Sequence, residues 1–153
     1  MTDNTHTLVI GGSSGMGLAL AQRLLPAGHR VTIAARDTGR LTAATAQLGR
    51  PDHVRAQRVD IAEESSIAAL FDTVEAVDHV VVTAADMRRG YGPLTVLPTR
   101  DARSVLDIKV LGPWLVAKYA ADMAAPRTTG HRHRYCGAER TDMRGARPAD
   151  QAS

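Results

Sequence analysis

A chain of 153 residues with 44% hydrophobic and 23% charged side chains can bury the core of one domain. It has no apolar run of the roughly 20 residues a membrane helix needs, no basic segment ahead of a long apolar stretch in MTDNTHTLVIGG, and a single cysteine, Cys136, which excludes an internal disulfide framework; a reducing, cytoplasmic location is expected. The formal charge of +3 sits entirely in the last 28 residues, where Arg127, Arg132, Arg134, Arg140, Arg144 and Arg147 face only Glu139, Asp142 and Asp150, leaving residues 1–125 with 13 basic and 13 acidic side chains.

Along the chain, Thr7 to Gly11 is a short apolar run closed by glycine and predicts a buried parallel strand. Met16 to Leu25 has helical apolar spacing and ends near Pro26-Ala-Gly28. Arg30 to Ala35 predicts a second strand. Asp37 or Thr38 then caps a helix through Leu48, which Gly49 and Pro51 close. Val54 to Asp60 predicts the third strand and Glu63 to Val74 a helix with Ile67, Leu70, Phe71 and Val74 on one side. Asp78 to Thr83 predicts the fourth strand. A loop with Gly90, Gly92, Pro93 and Pro98 leads to a long helix over residues 99–125, which Gly112-Pro113 should kink or break.

This alternation predicts an α/β fold: a Rossmann-like parallel sheet of about four strands in the order 3-2-1-4, with helices on both faces. The last Val, Ile, Leu, Phe or Trp is Val116. The stretch after about Ala125 therefore has little to offset its ordering entropy, and two segments are expected: a partial dinucleotide-binding domain over 1–125 and an Arg-rich disordered tail over 126–153. In that tail His131-x-His133 and Cys136 supply at most three metal ligands without finger spacing, so no metal site is assigned. The arginines lack interleaved aromatics, so no specific nucleic-acid partner is assigned either, and no membrane partner.

The most informative stretch is Gly11-Gly-Ser-Ser-Gly15-Met-Gly17, which leaves the first strand and opens the first helix. Gly11 permits a tight exit from the strand, Gly15 lets backbone approach a pyrophosphate, and Gly17 lets helix and strand pack closely. The helix N-terminus then offers free N–H groups and the positive dipole end to phosphates. Arg36 lies 19 residues beyond Gly17, where the ribose partner is expected. An arginine there can pair with the 2′-phosphate of NADP, with NAD as the alternative because Asp37 follows immediately.

Val9-Ile-Gly-Gly-Ser-Ser-Gly-Met-Gly17 resembles the cofactor signature of the short-chain dehydrogenase/reductase family, with Ile10 where Thr is usual. The resemblance extends over roughly residues 7–125. It implies cofactor contacts from Gly11, Ser13, Ser14, Gly15, Met16 and Gly17, an adenine contact from Asp60-Ile61, and a family arginine at Arg36 that goes with NADP. Thr83-Ala84-Ala85-Asp86 stands where the family usually has Asn-Asn-Ala-Gly, so Ala84 and Ala85 are also expected beside the cofactor. Asp86 puts a charge and a Cβ where glycine would let the cofactor approach. Leu106 to Trp114 resembles the family's helix segment that carries a catalytic-site Asn, with Lys109 in the Asn position. The family moves a hydride between a nicotinamide and a carbonyl or alcohol, and its members commonly pair through the helix corresponding to 99–125.

That chemistry uses a Tyr as proton donor, with a Lys four residues later to lower a phenol pKa that is otherwise about 10. Here Tyr91 is followed four residues on by Thr95, Tyr119 by Met123 and Tyr135 by Glu139, so Tyr-x-x-x-Lys is absent from the sequence. No catalytic residue is assigned; Lys109, at the family's Asn position, reads as a lysine reaching solvent from a helix. The expected function is an NAD(P)-binding oxidoreductase of this family with impaired or no turnover. The alternatives are a non-catalytic nucleotide-binding fragment or a nonfunctional product. The abrupt loss of apolar residues and gain of arginine near Pro126 suggests a frameshift or an early truncation, which the coding DNA tests.

Overall fold

The computed structural model describes residues 5–86 and 90–123. The tail 126–153, with His131, His133 and Cys136 and the disorder expected of it, lies outside the described residues, as do residues 124–125, to which the sequence pattern extends the last helix. Four parallel strands form one sheet in the order β3-β2-β1-β4. The strands are β1 (His6–Ile10), β2 (Arg30–Ala35), β3 (Val54–Arg58) and β4 (His79–Val82). Helices α1 (Gly15–Leu24), α2 (Thr38–Leu48) and α3 (Glu64–Thr73) connect them. A long helical stretch follows β4: α4 (Thr99–Leu106), a π turn (Asp107–Leu111) and α5 (Gly112–Met123).

β1 shows why the sheet must be covered on both faces. Its five residues are all buried, and their alternation divides two cores. Leu8 and Ile10 face a cluster with Ile67, Leu70 and Phe71 of α3 and Leu115 and Val116 of α5. Val9 faces the opposite cluster with Ala21 of α1, Ile33 of β2 and Leu41 of α2. Each such buried aliphatic side chain contributes roughly 1.5–3 kcal/mol relative to exposure, so this strand anchors both layers. The first two crossovers step outward to β2 and β3. The third carries the chain back over the sheet to the far side of β1, so β1 and β4 leave the sheet in diverging directions and open a crevice at its carboxyl end.

Several element ends have identifiable causes. Asp37, rather than Thr38, caps α2, its carboxylate accepting the Arg40 N–H at 2.9 Å. β3 stops at Arg58 instead of Asp60, because Asp60 starts a turn in which its carboxylate accepts the Ala62 N–H at 3.1 Å. Gly112-Pro113 does not break the long helix. The π turn before it lets the Gly112 N–H bond the Asp107 carbonyl, so the missing Pro113 donor is absorbed where the ladder has already widened. A Cβ on Gly112 would lie 2.7 Å from both the Ile61 carbonyl oxygen and its Cγ1. The glycine is a close contact between this helix and the end of β3.

His6 is a buried polar residue that the sequence pattern did not single out. Its Nδ1 lies 2.9 Å from the Ala76 carbonyl oxygen and its Nε2 lies 2.8 Å from the Thr32 hydroxyl. A carbonyl only accepts, so Nδ1 carries the proton and Nε2 accepts from Thr32. Burial pulls the imidazole below its ordinary pKa, with Arg30 adding to the shift and the Ala76 carbonyl, Glu75 and Asp78 opposing it.

Candidate functional site

The turn after β1 is built around three close approaches. The Gly11 N–H reaches the Ala34 carbonyl at 2.7 Å, which ties the start of the turn to β2. A Cβ on Gly17 would collide with the Gly11 carbonyl oxygen and would lie 2.6 Å from the Thr83 hydroxyl. α1 can therefore approach β1 and β4 this closely only with glycine at that position. Gly15 has a different requirement. A Cβ there would meet nothing within 4 Å, but its φ of +54° is left-handed.

Ser14 precedes α1 in an extended conformation and makes no side-chain capping bond, and the first turn carries no acidic residue. The amino end of α1 therefore keeps its dipole uncompensated where it borders a cleft of about 420 Å³ at the carboxyl end of the sheet. Gly11, Ser13, Ser14, Gly15 and Met16 line it from the turn. Arg36 lines it from the end of β2, Asp60 and Ile61 from the end of β3, and Ala84 and Ala85 from the end of β4. Four strand ends thus bring together residues that lie far apart in the chain. Gly17 is buried behind the turn and touches the cleft only through the packing it permits. Lys109 is exposed on the π turn and does not line the cleft, whereas its neighbour Ile108 is buried and does.

Sequence reasoning missed other lining residues. Val59 and Ile108 complete an apolar wall with Ile61, suited to one face of a planar ring. The available signal was that Val59 precedes Asp60-Ile61 and Ile108 precedes Lys109. Arg40 adds a second cation one helical turn beyond Asp37, from which it stands 3.9 Å. Thr83 stands at the mouth, its hydroxyl 3.3 Å from the Ile10 carbonyl. Across the cleft the Arg36 guanidinium meets the Asp86 carboxylate, Nη2 to Oδ2 3.0 Å, with the two side chains 52% and 26% exposed.

The lining combines the uncapped amino end of a helix, an apolar wall and two guanidinium groups. Among the described lining residues there is no tyrosine, histidine or lysine. Tyr119 faces α3 instead. Its hydroxyl donates to Glu64 at 3.1 Å, beside the Lys118 ammonium at 2.8 Å from the same oxygen. Desolvation and the Glu64 carboxylate push this phenol above its ordinary pKa, the opposite of what a proton donor at neutral pH needs. No group of three metal-ligating side chains occurs among the described residues. No described helix is long and apolar enough to cross a membrane.

A glycine turn at the switch point of a doubly wound parallel sheet defines a dinucleotide-binding fold of the Rossmann-like type. The chain belongs to the short chain dehydrogenase family, whose family model matches residues 5–131. The short chain dehydrogenase/reductase dpmpG of Macrophomina phaseolina is 33% identical over 119 residues, covering 74% of this chain and 67% of that protein. Among solved structures, the F189W actinorhodin polyketide ketoreductase with NADPH superposes with a TM-score of 0.74 at 26% identity, covering 80% of this chain and 48% of that one. The NAD+-bound xylitol dehydrogenase superposes with a TM-score of 0.70 at 25% identity, again covering 80% and 48%. The chain thus spans about half the length of the solved structures it matches.

Proposed function

We propose that this chain binds NADP(H) in the cleft at the carboxyl end of the sheet. The observation that carries this reading is the bare amino end of α1 opening onto a cleft that has a guanidinium, Arg36, at the end of β2. In it the pyrophosphate takes N–H groups at the start of α1, since the Gly11 and Gly12 N–H groups of the turn are bonded to the Ala34 carbonyl. Ser13, Ser14 and Met16 close over the phosphates, and the adenine lies against Ile61 with Asp60 at its edge. Ala84 and Ala85 border the ribose on the nicotinamide side. Arg36 takes the 2′-phosphate. The NADPH-bound ketoreductase supports this choice, and the NAD+-bound xylitol dehydrogenase supports NAD as the second cofactor.

The family reaction, hydride transfer between the cofactor and a carbonyl or alcohol substrate, is the activity we assign to a whole protein of this kind. These 153 residues hold the cofactor without turning it over, because Tyr-x-x-x-Lys is absent and no described residue of the cleft replaces its tyrosine. Lys109, exposed and outside the cleft, has no part in this reading. The chain self-associates through the long helix, where Leu106, Val110 and Trp114 recur at four-residue spacing and are all exposed.

Titration of the 153-residue chain with NADPH, followed by nucleotide fluorescence, tests the binding. Saturation that is lost in Gly15→Val supports it, since the variant puts a branched side chain at a left-handed position of the phosphate turn. Absence of saturable binding refutes it, and oxidation of NADPH by the purified chain with a carbonyl substrate refutes the non-catalytic part.

A further inference from the structure

We propose that Asp86 determines which dinucleotide the cleft prefers, by holding Arg36 against itself in the free protein. This deepens the dinucleotide reading and rests on it. Arg36 follows β2 and Asp86 follows β4, and those two strands flank β1 on opposite sides. Their 3.0 Å ion pair therefore spans the carboxyl end of β1, over the phosphate turn, and both partners line the cleft. A dinucleotide lying along the strand ends has to pass this pair.

The two cofactors meet the pair differently. A 2′-phosphate needs the guanidinium that Asp86 occupies, and it brings its own negative charge toward that carboxylate. A 2′-hydroxyl brings no charge and can donate a hydrogen bond to the same carboxylate. The pair thus penalises NADPH and spares NADH. Because both side chains are partly exposed, it opens at modest cost and does not bar the cleft. Arg40 does not take over as an unengaged cation, since it stands beside Asp37.

The experiment compares NADPH and NADH titrations of the wild-type chain with those of Asp86→Asn, Asp86→Ala, Arg36→Ala and the Arg36→Ala/Asp86→Asn double variant, after thermal unfolding has shown each to be folded. Removing the Asp86 charge is expected to tighten NADPH by about fivefold, the effect of about 1 kcal/mol at a solvent-screened pair, while NADH changes by less than about twofold. The NADPH gain shrinks as salt is raised and is smaller when Arg36 is already alanine, because no guanidinium is then released and only the repulsion between Asp86 and the 2′-phosphate is relieved. If the wild-type chain binds both nucleotides and the Asp86 variants move them equally, or move neither, Asp86 is not the determinant and the dinucleotide reading survives. If no variant and no wild-type chain binds either nucleotide, both fall together.

Discussion

The Thr83 hydroxyl stands 2.6 Å from where a Cβ would be placed on Gly17, and the same distance from where one would be placed on Gly11. The end of β4 thus presses on both ends of the phosphate turn and fixes how closely α1 approaches the sheet. This separates two glycines of one motif. Gly17→Ala meets the Gly11 carbonyl as well as Thr83, and backbone cannot yield as a flexible side chain can. Its cost should fall at the upper end of overpacking, about 3 kcal/mol. Gly15→Ala meets no atom and carries only the left-handed backbone penalty, about 1 kcal/mol. Urea denaturation should rank the variants in that order. Adding Thr83→Ala to Gly17→Ala should restore only part of the loss, because the carbonyl collision stays. A Gly15 variant less stable than the Gly17 variant would contradict this account.

The strand and helix order was readable because β1 and β2 are short apolar runs punctuated by glycine, and because sequential right-handed crossovers leave few alternatives. The glycine turn was readable because its residues are contiguous. What stayed hidden depends on contacts between distant segments. Gly112 reads locally as a helix breaker, yet its role is set by Ile61, 51 positions earlier in the chain. The Arg36–Asp86 pair joins residues 50 positions apart, and nothing in the local sequence around either residue points to the other. Lys109 occupies the place a family motif would give a site residue, but the π turn exposes it and buries Ile108 instead.

Gly112→Ala should loosen the cleft as well as the fold. The added methyl would press on Ile61 Cγ1 and on the Ile61 carbonyl, each 2.7 Å away. Relief requires the long helix to move off the end of β3. Ile108 on that helix and Ile61 on the loop after β3 both line the cleft, so the apolar wall opens with it. The variant should lose about 1–3 kcal/mol in denaturant and bind NADPH more weakly than wild type at a temperature where both are folded. Loss of stability with unchanged NADPH affinity would show that this wall does not hold the nucleotide.

The apolar side chains on the long helix make a separate prediction about mass. Leu106, Val110 and Trp114 are between 56% and 61% exposed, an arrangement that favours burial against another surface. Sedimentation equilibrium should show wild type associating with concentration. Trp114→Glu, which places a charge in the middle of the stripe, should remain monomeric over the same range. Identical mass behaviour of the two chains would exclude this face from self-association.

His6 couples stability to pH. Its ring is buried between the Ala76 carbonyl and the Thr32 hydroxyl, and burial lowers its pKa from the ordinary 6.5. The folded state therefore binds fewer protons at this residue than the unfolded state does, and stability rises with pH across the interval between the two values. The contribution is fully present above about pH 6.5 and is lost progressively as pH falls from there toward the lowered folded value. A charged ring would also turn Nε2 into a donor, leaving the Thr32 hydroxyl to reorient. Urea denaturation at a series of pH values below 8 should show wild type losing stability on acidification. His6→Gln, less stable at every pH because it repacks a buried site, should lack that component of the slope. Parallel pH profiles for the two chains would mean that His6 titrates alike in the folded and unfolded states.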